Sequence, residues 1–206
     1  MTIEIRPRNT VRGRPRTGGE FTCDRCGREA GKPRVCWPDG KICGTCFHAA
    51  VRTHGYCAAC GFERMLPGRV GDSAVCVDCA GIATDFHCSR CGTEAEHYRR
   101  GICARCALRD DLTSLLLDNP ADPATMNTLV GIFCAVDRPE SIHTWKRSAK
   151  VHELLRQLAT GQIPMTHEGL DSVGDDRRTM HLRGILEHHQ LIPPRDRYLA
   201  LFEDWI

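Results

Sequence analysis

At 206 residues, with 41% hydrophobic but only 6% aromatic side chains, the chain has room for one or two domains and few large core residues. A formal net charge of +2 excludes a uniformly basic or acidic polyelectrolyte. No stretch approaches 18 consecutive apolar residues, and residues 1–6 lack the apolar core of a secretory signal, so neither a membrane helix nor export is expected. The expected location is cytoplasmic, where thiols stay reduced.

The chain opens on a basic segment. Residues 1–20 hold five arginines and two glutamates, net +3, in an Arg/Pro/Gly/Thr composition that predicts disorder. Within it, Arg12-Gly13-Arg14-Pro15-Arg16 resembles the core of an AT-hook. That motif lays an extended backbone along the narrow A·T minor groove, where focused negative potential attracts arginine. Arg12, Arg14 and Arg16 are therefore candidate nucleic-acid anchors.

Six Cys-x-x-Cys pairs follow: Cys23/Cys26, Cys43/Cys46, Cys57/Cys60, Cys76/Cys79, Cys88/Cys91 and Cys103/Cys106. Two residues between two thiolates let both sulfurs grip one metal from a tight turn. Two such turns complete a tetrahedral shell with Zn–S of about 2.3 Å. Six turns predict three structural Zn²⁺ ions as cofactors. A thioredoxin-type redox pair would need one motif in a βαβ setting, which six pairs in series do not offer. This region has few apolar side chains. Metal binding supplies the missing stability, on the order of 10–16 kcal/mol per zinc in peptide systems.

The pairs form three repeats, 21–50, 55–82 and 86–107. Each opens on Cys-x-x-Cys-Gly, and Gly27, Gly61 and Gly92 permit the φ > 0 turn of a zinc knuckle. Loops of 16, 15 and 11 residues separate the two pairs of each repeat, long enough for a short hairpin. Turn residues at Pro38-Asp39-Gly40, Gly71-Asp72-Ser73 and Gly101 support one in each. Helix-like sequence after each second pair completes a zinc-ribbon or treble-clef-like α+β module. Its last ligands would sit at a helix N-terminus, where the dipole favours thiolates. A RING-type cross-brace, recruiting Cys36 or His48, is the rival arrangement; the equal repeats favour sequential sites. Cys134 reads as core, and His48, His54, His87 and His97 read as surface or packing residues. Arg34, Arg69, Arg99 and Arg100 fall in the hairpin segments and are candidate contacts to nucleic acid.

From Leu108 the cysteine pairs stop and a 3.6-residue period starts. The stripes are Leu112/Leu115/Leu116, Leu129/Ile132/Phe133/Val136, a short helix from Pro139, and Val151/Leu154/Leu155/Leu158 capped by Gly161. A capped turn at Thr166–Leu170 follows, then Met180/Leu182/Ile185/Leu186/Leu191, and last Tyr198/Leu199/Phe202/Trp205. They predict an independent all-α domain over 108–206. Residues 166–195 also fit a helix-turn-helix, with Arg177, Arg178, Arg183, Arg195 and Arg197 toward DNA, although an ordinary helical adaptor is the preferred reading. The domain is acidic: residues 110–206 hold ten basic and fifteen acidic residues.

The run Leu154-Leu155-x-x-Leu158-Ala159-x-Gly161, the segment Thr166-His167-Glu168-x-Leu170-Asp171, and His181-Leu182-Arg183-x-x-Leu186 resemble bacterial proteins of the tyrosine-recombinase (phage-integrase-like) group. So does Pro194-Arg195-Asp196-x-x-Leu199-x-x-Phe202-Glu203-x-Trp205. The resemblance covers residues 20–206. It implies zinc-ribbon repeats and a helical segment of the kind that precedes core-binding and catalytic domains. The family's His-x-x-Arg is not matched, because Arg183 follows His181 one place too early. No catalytic domain fits after Trp205, so recombinase activity is not carried over.

Together these features predict a zinc-dependent DNA-binding protein without catalytic activity, related to the N-terminal part of integrase-like recombinases. Residues 21–109 hold thirteen basic and nine acidic residues, but three Zn²⁺ with twelve thiolates bring the loaded region to a formal −2. The alternative is therefore a zinc-dependent protein–protein adaptor. A protein partner or self-association would engage the helical domain; no membrane and no small-molecule substrate are expected.

Overall fold

The computed structural model describes residues 21–174 and 176–195. Arg12, Arg14 and Arg16 of the basic segment, Arg197, and the last expected helix around Tyr198, Leu199, Phe202 and Trp205 lie outside the described residues. The chain divides into two compact units, one ending at Phe86 and one beginning at His87.

The first unit holds two zinc-type repeats. In the first, β1 (Phe21–Thr22) pairs with β2 (Glu29–Ala30), β3 (Val35–Trp37) pairs with β4 (Gly40–Ile42), and α1 (Gly44–Ala50) follows. In the second, β5 (His54–Tyr56) pairs with β6 (Glu63–Met65) and β7 (Gly68–Val70) with β8 (Ser73–Val75). Every pair is antiparallel and two-stranded. The second repeat ends in turns over 77–81, not in the expected helix; Gly81, at φ +64, closes them.

Two-stranded ribbons this short do not hold themselves together in water. Here both repeats share one apolar core. Trp37, Ile42, Phe47, Ala50 and Val51 of the first pack with Met65, Val77 and Ile82 of the second, and with Phe86, expected to open the third repeat but belonging to this unit. The Trp37 ring lies 5.5 Å from Phe47 and meets Phe86 edge-on at 6.4 Å. The Arg25 guanidinium sits over Trp37, pairs with Asp39 at 2.6 Å, and donates to the Pro67 carbonyl at 2.7 Å. Its side chain is only 6% exposed. The first two repeats thus form one body.

The second unit begins with a knuckle closed by a bridge between His87 and Glu94. It continues through β9 (His97–Arg99) and β10 (Ile102–Cys103) into helices α2 (Ala104–Leu116), α3 (Pro123–Ala135), α4 (Pro139–Lys146), α5 (Ala149–Ala159), α6 (His167–Asp171) and α7 (Arg177–His188). The stops and starts read from sequence at Gly161 and Thr166 hold, and the structure adds two aspartate caps. Asp122 caps α3 by accepting from the N–H groups of Ala124 and Thr125, ahead of Pro123. Thr166 caps α6, Asp176 caps α7, and Gly161 turns the chain at φ +71 after α5. Leu129, Phe133, Leu155, Leu170, Leu182 and Leu186 are fully buried in the core, and Cys134 joins them as expected. Met180 does not; it is 40% exposed, and the buried stripe of α7 runs through Leu182 and Leu186.

The boundary expected at residue 108 lies inside α2. Cys103 is the N-cap of this helix and Cys106 sits in its first turn, while Leu108, Leu112 and Leu116 on the same helix are core residues. No breaker separates ligand turn from apolar stripe, so one rod carries both. The hairpin of the third repeat adds to this. Tyr98 stacks on His143 of α4 at 4.1 Å and accepts a hydrogen bond from Arg147 at 2.8 Å. Arg99 pairs with Asp111 at 2.6 Å, and Lys146 reaches the same carboxylate at 2.7 Å. The buried His143 places Nε2 3.0 Å from the Ala104 carbonyl, which can only accept, so Nε2 carries the proton. The third repeat and the helices are one unit.

Candidate metal centres

The twelve paired cysteines converge on three clusters, Cys23/Cys26/Cys43/Cys46, Cys57/Cys60/Cys76/Cys79 and Cys88/Cys91/Cys103/Cys106. Within each, all four sulfurs lie within 4.8 Å of one another. The Cys26–Cys43, Cys60–Cys76 and Cys91–Cys103 sulfur pairs are each 3.9 Å apart. A tetrahedron with Zn–S of about 2.3 Å has edges of about 3.8 Å. Three Zn²⁺ ions therefore fit, one per repeat, as the spacing predicts. The cross-brace is excluded, because among the described residues no cluster mixes repeats and neither Cys36 nor His48 enters one.

The three sites share one backbone construction. In each knuckle the N–H of the first cysteine donates five residues on, to Arg28, Phe62 or Thr93, at 2.9–3.0 Å. The N–H of Gly27, Gly61 or Gly92 returns to the carbonyl of that cysteine at 2.8–2.9 Å. These glycines have φ of +65, +75 and +70, which a Cβ would strain. The second pair completes the circuit: the N–H of Cys43, Cys76 and Cys103 each donates to the sulfur of Cys23, Cys57 and Cys88 at 3.3 Å. Cys43 and Cys103 are also the N-caps of α1 and α2.

This geometry sets the charge state of the metal-free thiols. Burial opposes ionisation of Cys23 and Cys88, but backbone N–H groups, led by those of Cys43 and Cys103, outweigh it and lower both to about 6. Cys57 falls to about 6 chiefly through the N–H of Cys76. The fourth sulfur goes the other way. Cys46, through burial and contact with its three partners, rises to about 12. Cys79 rises to about 12 through the sulfurs of Cys76 and Cys60, and burial raises Cys106. Near pH 7 each empty cluster thus holds a ready thiolate and a thiol that ionises only against a cation. Zinc uptake at pH 7 is therefore expected to release protons, and acidification is expected to weaken it, because protons compete for the same sulfurs. Calorimetric titration in buffers of differing ionisation enthalpy reads the number released; uptake without proton release would contradict this charge assignment.

Zinc, when bound, supplies a cross-link between the two halves of each repeat. The chain's own residues complete the shell and leave no ligand position for a substrate, which is the arrangement of a structural site. Outside the shell, Arg64 approaches the Cys76 sulfur at 3.9 Å and pairs with Asp78, while Arg90 ties the third knuckle to Asp110 of α2. Sequence reading did not single out these arginines, since their partners lie 12 to 20 residues away.

The arginines expected to face nucleic acid have different fates. Arg99 is engaged by Asp111 and by the Ala107 carbonyl. Arg34 is exposed, with its guanidinium 5.0 Å from the Phe47 ring. Arg69 is exposed on β7, and Arg100 is exposed at the β9–β10 turn in a left-handed conformation, φ +47. In the helix-turn-helix candidate, Arg183 and Arg195 both hold Asp171 and Arg178 holds Asp176. Those three are committed to the fold. No family model matches the chain, and no match is found among curated proteins or solved structures.

Proposed function

We propose that this zinc-dependent chain is a non-enzymatic DNA-binding protein whose N-terminal part makes the contact. The observation that carries this reading is the charge gradient. Residues 1–20 are net +3 and include Arg12, Arg14 and Arg16, whereas residues 110–206 are net −5. Arg28, Lys32, Arg52 and Arg69 of the first unit are exposed and have no ion-pair carboxylate among the described residues, which supports it. The resemblance to recombinase-group proteins adds a DNA setting. The closed Cys₄ shells favour a structural over a catalytic role.

The second reading is a protein–protein adaptor. It is favoured by the formal charge of residues 21–86, whose eight basic and seven acidic residues become −3 with two Zn²⁺ on eight thiolates.

Binding of the zinc-loaded full chain to duplex DNA, titrated by anisotropy at several salt concentrations, separates the two. Each phosphate contact contributes about 0.9 to the slope of log K against log salt. Replacing Arg12, Arg14 and Arg16 with alanine is expected to weaken binding and flatten that slope by roughly 2 to 3. Absence of binding to any nucleic acid at low salt would overturn the DNA reading and leave the adaptor.

A further inference from the structure

The three metal sites follow one construction, so a difference between them belongs to the site that carries it. In every site the first cysteine of each pair is buried: Cys23 and Cys43, Cys57 and Cys76, Cys88 and Cys103. The sites differ at the other two ligands. In the third, Cys91 is exposed and Cys106 buried; in the first, Cys26 is exposed and Cys46 partly buried. In the second, Cys60 and Cys79 are both exposed.

The sequence after the last ligand accounts for this. Cys46 is followed by Phe47, and Cys106 by Ala107 and Leu108, all buried residues of α1 and α2. Cys79 is followed by Ala80 and by Gly81, whose φ of +64 closes the turn in place of a helix. The last ligand of the second repeat therefore stands in a turn that does not shelter it. A Cys₄ shell closes the metal to further ligands but leaves a lone pair on each sulfur. Oxidation of thiolates follows their exposure. All four sulfurs of the site lie within 4.8 Å of one another, so little movement brings two of them to the S–S distance of about 2.05 Å.

We propose that the second site is a redox-sensitive switch, in which a hydroperoxide joins Cys60 to Cys79 and so frees the metal of the first unit. One of the two sulfurs attacks an oxygen of hydrogen peroxide, the O–O bond breaks and hydroxide leaves, giving a sulfenic acid. The other sulfur attacks that sulfenic sulfur, the S–O bond breaks and a second hydroxide leaves. Two thiolates and one peroxide thus become one disulfide and two hydroxide ions, with two electrons passing from sulfur to oxygen. Cys57 and Cys76 alone cannot fill a tetrahedral shell, so the site opens. The first two repeats share one core, so the first site loosens with the second, while the third belongs to the other unit and holds. The switch serves a DNA-binding protein and an adaptor alike.

The test exposes the zinc-loaded full chain to hydrogen peroxide, follows zinc release with a chromogenic chelator, and maps oxidised cysteines by differential alkylation and mass spectrometry. Two of the three ions are expected to leave about tenfold faster than the third, with Cys60 and Cys79 the first cluster cysteines to resist alkylation. Dithiothreitol with added zinc should restore all three. Cys79→His keeps a tetrahedral Cys₃His shell and removes one sulfur of the pair. It is expected to slow release about tenfold, whereas Cys46→His, the matched change in the first site, should leave the wild-type rate. Full zinc content and native circular dichroism qualify both variants, and the mapping in the wild type stands without them. Release of all three ions at one rate, or zinc loss with Cys60 and Cys79 still reduced, would overturn the switch. So would zinc loss that the reductant does not reverse, or no difference between the two histidine variants.

Discussion

Replacing Cys103 or Cys106 with alanine is expected to unfold the helices of the second unit, not merely its knuckle. These two ligands form the first turn of α2, and the same helix carries Leu108, Leu112 and Leu116 into the core. Around it, Tyr98 on His143 and Arg99 on Asp111 fasten the hairpin to α4 and α2. A structural zinc contributes on the order of 10–16 kcal/mol in peptide systems. A whole domain is stable by only about 5–15 kcal/mol. Losing the third zinc therefore removes about as much free energy as the unit has. Circular dichroism at 222 nm and amide exchange should both report the loss. Cys76→Ala is the control: it should disrupt the first unit and leave α2–α7 protected. Retention of native helices by the Cys103→Ala protein would show that the leucine core stands without its metal.

Trp37→Ala is expected to loosen two metal sites at once. Trp37 belongs to the first repeat but shares its core with Met65, Val77 and Ile82 of the second and meets Phe86 just beyond it, with Arg25 laid over its ring. Truncating a buried tryptophan typically costs about 3–5 kcal/mol. In a unit of such short strands this core is the main apolar support. The first two zincs should both pass faster to a chromogenic chelator, while the third transfers at the wild-type rate. Acceleration at the first site alone would mean that the repeats are independent beads after all.

The metal centres were legible in the sequence because their signal is local. Two cysteines three residues apart already define half a shell, and Gly27, Gly61 and Gly92 mark the left-handed turn that each knuckle requires. The helices were legible because leucine spacing, the Thr166 cap, Gly161 and Pro139 at a first turn are also local signals. The joins between elements were not. The sequence places the last ligands at a helix N-terminus and an apolar period from Leu108, but with no breaker or linker signal between them it does not tell that both belong to one helix, α2. Asp111 gathers Arg99 from 12 residues upstream and Lys146 from 35 downstream, and a charge census assigns neither pair. Arg99 consequently read as a free hairpin cation when it is a fastener between repeat and helix. Met180 fitted the apolar period of α7 yet faces outward, since periodicity fixes a stripe only to within about one residue on either side.

Stepwise zinc removal followed by hydrogen-exchange mass spectrometry tests most directly whether metal and fold are partitioned two and one. Native mass spectrometry of the loaded chain should count three Zn²⁺. Two should leave together with protection of residues 21–86, and one should leave together with protection of α2–α7. A different metal count, or helices that stay protected after the third zinc has gone, would contradict it.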